Sequence, residues 1–551
     1  MPAGKASLRH AVGRLHHLLL LDSKDIGMIY FLAIFSGLVQ LSLPLGIQSI
    51  VSFVLTGSIS TSITVLICLV LAGVFINGLL QIRQLQILEK VKQKLFARYA
   101  MEYADRLPQL DIEKLDRVYL PEMVNRFFDT ISLQKGIDKL VTDLPAAVVQ
   151  VLLGIILLAF YHPVFIAFGF LLLLIMAALL YFTTPRGLSS ALSASGFKYE
   201  LAGWLQEIAR TIKTFKYAKA TSLHIRKTDE LLHSYLQSRT TYFKVLLGQF
   251  WSLVSFKILI TGAMLLLGTY LLVNQQINVG QFIAADIVII AIIASIEKII
   301  TNLDTVYDAM VSLEKLSIVT EAEKEKSGSL LLPAAEGGVS VSFENVSFSY
   351  SDHAKVLQAF SFSAAKGEMV QLQGMSGSGK STVLRLLTGA FTNYSGSVLI
   401  EGIPIHNYAI PQLRQLTGII LGSQDIFSGT LWQNITMGDE SVSIEQVQEL
   451  AEKTGLSAFV QKCPQGYDTY LQPSGSKLSN TVRKNILLMR ALLGRHRLLL
   501  LEEPFEHLEH PYKSNIILYI KEMKASTVLI ASRDTTLESY CDKVITLKRT
   551  H

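Results

Sequence analysis

The chain has 551 residues, of which 50% are hydrophobic and only 17% charged, with a mean hydropathy of +0.39. That length allows several domains, and hydropathy this high excludes an ordinary soluble enzyme. The net charge of +6 resides in clusters between apolar runs and carries no nucleic-acid signal, and three cysteines make no disulfide framework.

In residues 1–25, Leu8, Val12, Leu15 and Leu19 fall at helical spacing and predict an interfacial elbow helix over 6–21. No Asp, Glu, Lys or Arg occurs from Ile26 to Ile82 or from Leu144 to Pro185. A membrane span takes about 20 apolar residues, so each run holds two spans joined by a tight turn. The turns fall at Thr56–Ser60 and at Tyr161-His-Pro163, and a third pair, about 247–273 and 279–301, is joined by Asn274–Asn278. None of these connections carries Lys or Arg, whereas 83–143 and 184–245 carry about ten each. The positive-inside rule therefore assigns the long segments and both termini to the cytoplasm. The expectation is a multi-pass inner-membrane protein, with a six-span all-helical domain over 26–325 whose spans extend below the lipid bilayer.

Four charges interrupt the last two spans. Lys257 and Glu297 lie at similar depth, which permits an ion pair near the cytoplasmic interface, and Lys298 follows. Asp286 lies nearer the outer end and is either a lumen-facing group on a substrate path or a capped polar residue at a helix contact.

Residues 321–338 read as a linker, after which the period changes to two: Val339–Tyr350 has the pattern of a β-hairpin and opens an α/β domain over 338–551. Its main signal is Gly374-Met375-Ser376-Gly377-Ser378-Gly379-Lys380-Ser381, followed by Thr382, between an apolar strand pattern and a helix pattern. Glycines there let backbone N–H groups close on phosphate oxygens at a helix N-terminus, with Lys380 on the β/γ-phosphates and Ser381 on Mg²⁺. A nucleoside triphosphate site is expected.

Further stretches follow in order. Tyr350 ends Val-Ser-Phe-Ser-Tyr, Phe427–Ile435 reads FSGTLWQNI, and Leu498–Pro504 reads LLLLEEP. Leu107–Lys114 and Val124–Asp129 stand in the first long loop, Phe215–Ala220 in the second, and Val279–Ala284 reads VGQFIA. With six spans ahead of a P-loop domain, the chain resembles a half-size ATP-binding cassette exporter over nearly its whole length. The VGQFIA segment is similar to peptide and type I secretion exporters. The resemblance implies ATP and Mg²⁺ as cofactors, adenine stacking by Tyr350, a Walker B carboxylate at Glu502 for Mg²⁺, and Glu503 as the base for the attacking water. It also implies coupling of the cassette to the spans through loops near 107–121 and 215–224. For a peptide or protein cargo it implies a periplasmic adaptor and an outer-membrane channel, and it leaves lipid or drug export open. No Cys/His nucleophile set precedes the first span, so a fused peptidase is not expected.

The departures from the family pattern bear on activity. Where it reads L-S-G-G-Q, this chain has Leu478-Ser479-Asn480-Thr481-Val482, which keeps only Ser479 as a phosphate contact. Ser532 stands in place of the switch histidine, and Glu502 is one methylene longer than the usual aspartate. Without gaps the Q-loop glutamine falls on Gly422; Gln424, two residues on, is the alternative nucleotide and Mg²⁺ ligand. A slow ATPase is expected, acting as a homodimer or with a related half-transporter. The competing reading is a non-hydrolysing nucleotide-binding subunit that gates or scaffolds a partner.

Overall fold

The computed structural model describes residues 8–55, 61–115, 120–218, 221–333, 337–350, 355–522 and 526–549. The chain forms two compact units, one of Met1–Gln109 with Val118–Ala322 and the other of Leu110–Arg117 with Glu323–His551.

The first unit is helical. A short helix, Leu8–Leu21, precedes Ser23–Gln40 and Ser42–Leu55, which together form the first apolar stretch. Its break has a local cause: Pro44 lacks the N–H that would continue the ladder to the Gln40 carbonyl. The turn expected at Thr56–Ser60 lies outside the described residues. There follow Thr61–Arg106, Leu144–Tyr161, Val164–Arg210, Leu223–Val273 and Val279–Thr301, the last continued by Leu303–Thr320. Among the described residues, five stretches are long and apolar enough to cross a membrane, and a sixth apolar segment, Val164–Ala178, opens the helix that ends at Arg210. A helix of 51 residues such as Leu223–Val273 is about 75 Å long, well beyond the ~30 Å of a hydrocarbon core, so much of it lies outside the lipid.

Between these helices the apolar core includes Val151, Leu158, Phe165, Phe256, Ile260 and Ile292. Two glycines set the closeness of helices. A Cβ on Gly154 would stand 2.8 Å from Ile292 Cγ1, and one on Gly136 would overlap the Ala309 side chain and lie 3.2 Å from its Cα and from the Thr305 carbonyl. Within a span, as at Gly154, small residues let backbones approach where lipid gives no hydrophobic drive for helix association. Lys257 Nζ lies 2.7 Å from Glu297 Oε2, and Lys298 Nζ lies 2.7 Å from Asp143. Asp286 is half-buried and has no hydrogen-bond or ion-pair partner among the described residues, which counts against the capped alternative.

Among its described residues the second unit carries eleven strands: β1 Val341–Phe348, β2 Leu357–Ala364, β3 Met369–Gln373, β4 Tyr394–Ile400, β5 Ile403–Pro404, β6 Thr417–Ile420, β7 Gly429–Thr430, β8 Tyr470–Leu471, β9 Leu498–Glu502, β10 Thr527–Ala531 and β11 Lys543–Thr546. An antiparallel sheet has the order β2-β1-β4-β5, a parallel sheet the order β11-β3-β10-β9-β6, and β7 pairs with β8. Alternate residues of the parallel strands enter different cores. Val370, Leu372, Leu498, Leu500 and Leu529 face one core, while Leu499, Leu501, Val528 and Ile530 face the other. A sheet covered on both faces requires such unbroken apolar strands.

The expected hairpin over Val339–Tyr350 is a single strand instead. Asn345 takes φ +50° and shifts the register between Phe343 and Val346, so the break in alternation is a bulge and not a turn. The actual hairpin partner is β2. Part of the first long loop also belongs to this unit. Leu110 bridges to Lys324, the Asp111 N–H donates to the Glu323 carbonyl at 3.2 Å, and Glu113 accepts from the Thr392 N–H at 3.1 Å.

Because Ala309 has backbone on two sides of the Gly136 contact, Gly136→Ala should destabilise the chain by about 1–3 kcal/mol, the usual cost of overpacking. Gly262 has nothing within 4 Å of a built Cβ, so Gly262→Ala is the control. Thermal unfolding in detergent should show a lowered midpoint for the first variant only, and equal midpoints would refute the packing argument.

Candidate nucleotide-binding site

The parallel sheet assembles the site at one edge. The P-loop follows β3, Glu502 ends β9, Ser532 follows β10, and Gly422 lies just beyond β6. All four leave the carboxyl ends of neighbouring strands, the edge at which open α/β sheets bind ligands.

Within the P-loop, Gly379 has φ +94° and caps the helix Lys380–Leu387 in the left-handed conformation. At Gly374 a Cβ would press within 2.5 Å of the Leu547 carbonyl and 2.6 Å of Ser378 Oγ, so only glycine lets the loop pass. Lys380 is buried and folds back over the loop, donating to the carbonyls of Gly374 at 2.7 Å and Met375 at 3.1 Å. Burial, together with the Arg533 guanidinium, holds its ammonium below the usual lysine value, against the opposing pull of Glu503 and Glu502. Ser378 Oγ is buried without a partner among the described residues, while Met375, Ser376 and Gly377 are exposed at the tip. An unpaired buried hydroxyl, a cation and a helix N-terminus converging on one loop fit a phosphate group.

The acidic residues lie beside this loop. Ser381 Oγ donates to Glu502 Oε1, and the Gly422 N–H donates to Glu502 Oε2 at 2.7 Å. A serine hydroxyl and a carboxylate in contact form an all-oxygen donor set that fits Mg²⁺. Glu503 has φ +40°, an unusual backbone for glutamate, sustained by its N–H bond to the Ala531 carbonyl at 2.8 Å. Its side chain is held at both oxygens, by Ser532 Oγ at 2.7 Å and by the Arg533 N–H at 3.2 Å. Ser532 is thus bonded to the acid expected to serve as base.

The remaining candidates are dispersed within the unit. Tyr350 packs edge-on against Phe348 and Phe391, with ring centroids 4.9 and 5.5 Å apart. Its hydroxyl lies 3.1 Å from Thr382 Oγ1, and Arg385 sits 5.9 Å from its ring centre. Residues 351–354, which follow it, lie outside the described residues. Gln424 closes its own turn: its N–H donates to the Leu421 carbonyl at 3.0 Å and its Oε1 accepts from the Leu421 N–H at 3.4 Å. Among the described residues it is not bonded to Ser381 or Glu502. Ser479 caps the helix Asn480–Leu492, accepting from the Val482 N–H at 3.3 Å, and makes no bond to this chain's own P-loop. Thr481 Oγ1 donates to the His507 carbonyl at 3.2 Å, which links the altered signature to the segment after Glu503.

Two participants went unnoticed in the sequence, and the role of a third was not read there. Arg533 brings its charge near Lys380. Lys484 Nζ lies 3.4 Å from the Glu502 carbonyl, and burial lowers its proton affinity against the pull of Glu506, Glu502 and Glu503. Gly422, noted only as a missing glutamine, supplies a donor to Glu502. A signal for the last existed, since the gap in the Q-loop and the lengthened Walker B acid occur in one chain. The pairing of β6 with β9, Ile420 opposite Leu501, is what brings the two together.

Two family profiles match, the ABC transporter transmembrane region over residues 26–296 and the ABC transporter over 357–506, and together they span most of the chain. Among curated relatives, the Arabidopsis thaliana mitochondrial ABC transporter B family member 24 is 28% identical over 355 residues, 61% of this chain and 50% of that protein. The iron-sulfur clusters transporter ATM1 of Saccharomyces cerevisiae mitochondria is 32% identical over 38% of this chain and 30% of its own length. The colicin V secretion/processing protein CvaB of Escherichia coli is 31% identical over 42% of this chain and 32% of its own. The chain thus spans half or less of the length of these relatives. A solved bacterial Atm1-family ABC exporter with ATP bound superposes with a TM-score of 0.86 at 19% identity, covering 96% of this chain and 93% of that one, and so shares the fold. With a helical membrane domain and a P-loop domain that each match an ABC transporter profile, the chain belongs to the ABC transporters and has an exporter fold.

Proposed function

We propose that this chain is an ATP-driven exporter subunit that works as a homodimer, moving an amphipathic cargo out of the cytoplasm across the inner membrane. The observation that carries the reading is the convergence of Lys380, Ser381, Glu502 and Glu503 at one sheet edge. When bound, Mg²⁺ would neutralise phosphate charge, held by Ser381 and Glu502. Lys380 then meets the β/γ-phosphates, Tyr350 stacks on adenine, and Glu503 orients and deprotonates the attacking water. Ser479 faces the partner's nucleotide, so each site takes its P-loop from one copy and its signature from the other.

Cargo is the least constrained part. The named relatives include iron-sulfur cluster transporters and a colicin secretion protein. The second of these, with the VGQFIA segment, supports a peptide or protein cargo, and an adaptor and outer-membrane channel belong only to that version. The packing of Leu110–Leu115 against Glu323 and Thr392 supports the first long loop as a coupling element. A second reading, a non-hydrolysing gating subunit, draws on Thr481, whose hydroxyl is engaged by His507 where the family has glycine.

ATPase measurements on the purified chain in lipid separate the two. Lys380→Ala should abolish binding of a fluorescent ATP analogue, since the backbone alone does not offset the triphosphate charge. Glu503→Gln should leave binding intact and stop turnover. A parent without turnover supports the gating subunit.

Ser532→Ala removes the hydroxyl that holds Glu503 Oε2, so kcat should fall by about tenfold or more with nucleotide affinity unchanged. A fall in affinity at constant kcat would assign Ser532 to the phosphate instead. Restoring glycine at both Asn480 and Thr481 should raise the homodimer's rate by about tenfold, a modest return for recovered donors to a developing charge. A folded, dimeric variant no faster than the parent would mean that the altered signature already functions as it stands.

A further inference from the structure

Gly422 and Glu502 share one small volume. Glu502 Oε1 accepts from Ser381 Oγ while Oε2 accepts from the Gly422 N–H at 2.7 Å. A Cβ built on Gly422 would lie 3.5 Å from Oε2 and 3.7 Å from the carboxyl carbon. A methyl group fits there in ordinary contact, but a longer side chain leaving in that direction meets the carboxylate. The Glu502 carboxylate therefore stands against the position from which a glutamine side chain at 422 would start. Gln424, the other candidate, is spent on its own turn.

We propose that Glu502 is itself a direct ligand of the divalent cation beside Ser381, replacing the side-chain oxygen of a Q-loop glutamine, and that Gly422 is the residue that makes room for it and aims it. The inference rests on the nucleotide–Mg²⁺ reading above and adds that this acid takes the glutamine's place on the ion. The chemistry favours it, because a hard cation that keeps much of its hydration shell is held well by one carboxylate oxygen, which is a stronger donor than an amide carbonyl. With Oε2 fixed by the Gly422 N–H, Oε1 stays turned to the Ser381 hydroxyl, and both oxygens are within reach of a single ion. The long acid and the missing side chain are then one change made at two positions.

The test uses the full-length chain in nanodiscs with a non-hydrolysable ATP analogue and reads free Mn²⁺ by electron paramagnetic resonance. Glu502→Gln keeps size and shape and loses charge, and should weaken nucleotide-dependent Mn²⁺ binding by about tenfold or more. Glu502→Asp falls short of the ion, and Gly422→Gln competes with the carboxylate, so each alone should also weaken Mn²⁺. Combining Glu502→Asp with Gly422→Gln should return affinity to within about twofold of the parent, a coupling that independent sites would not show. Binding of the fluorescent nucleotide without metal should be retained in all variants, which shows that each still folds its P-loop. Unchanged Mn²⁺ affinity in Glu502→Gln, or a double variant as weak as the product of the singles, overturns the proposal while leaving the nucleotide site standing. A parent with no nucleotide-dependent Mn²⁺ binding overturns both.

Discussion

The parallel pairing of β3, β10, β9 and β6 is the constraint on which the rest of the site depends. It brings residues from four distant stretches of sequence to one edge, with Val370 beside Leu529, Leu529 beside Leu500, and Leu500 beside Ile419. These contacts are apolar and buried on both faces, so the register is set by packing in two cores and not by the polar residues at the end. Residues past the strand ends inherit positions fixed elsewhere. Glu503 can therefore be kept at φ +40°, because β9 ahead of it and its N–H bond to Ala531 at the end of β10 hold the backbone.

The membrane unit solves a different problem by related means. Lipid gives no hydrophobic reward for helix association, so closeness of fit at positions such as Gly154 against Ile292 carries the packing. The ion pair of Lys257 with Glu297 satisfies two charges that the apolar stretch would otherwise leave costly. Asp286 has no such partner among the described residues, and its conspicuousness in the sequence carries over into the structure.

Much of this was legible before the fold was known, for reasons that differ by region. Charge-free runs of the length of the first two span pairs admit few structures, and the glycine spacing with Lys380-Ser381 admits few loops. The missed features depend on contacts across long separations. Val339–Tyr350 reads as a hairpin because a bulge and a turn break alternation alike, and only pairing with β2 and β4 distinguishes them. The short segment from Leu110 reads as part of a long helical loop, yet its backbone bonds run to Glu323, more than two hundred positions on. The contact between Gly422 and Glu502 needed the order of strands in the sheet, which no local pattern encodes.

The departures from the family pattern, taken singly, look like losses. In the structure several of them touch a neighbour that changes their meaning. Ser532 lacks the charge of a histidine, yet its hydroxyl holds Glu503 while the next residue, Arg533, brings a guanidinium close enough to act on Lys380. Thr481 lacks the openness of glycine, yet it ties the signature helix to His507, four residues beyond Glu503. Independent decay would have no reason to leave altered residues bonded to the very segment that bears the acids. Substitutions that close on one another in this way fit a site rearranged around an anionic ligand, whose rate would then depend on how well neutral hydroxyls hold what charged or backbone donors hold elsewhere.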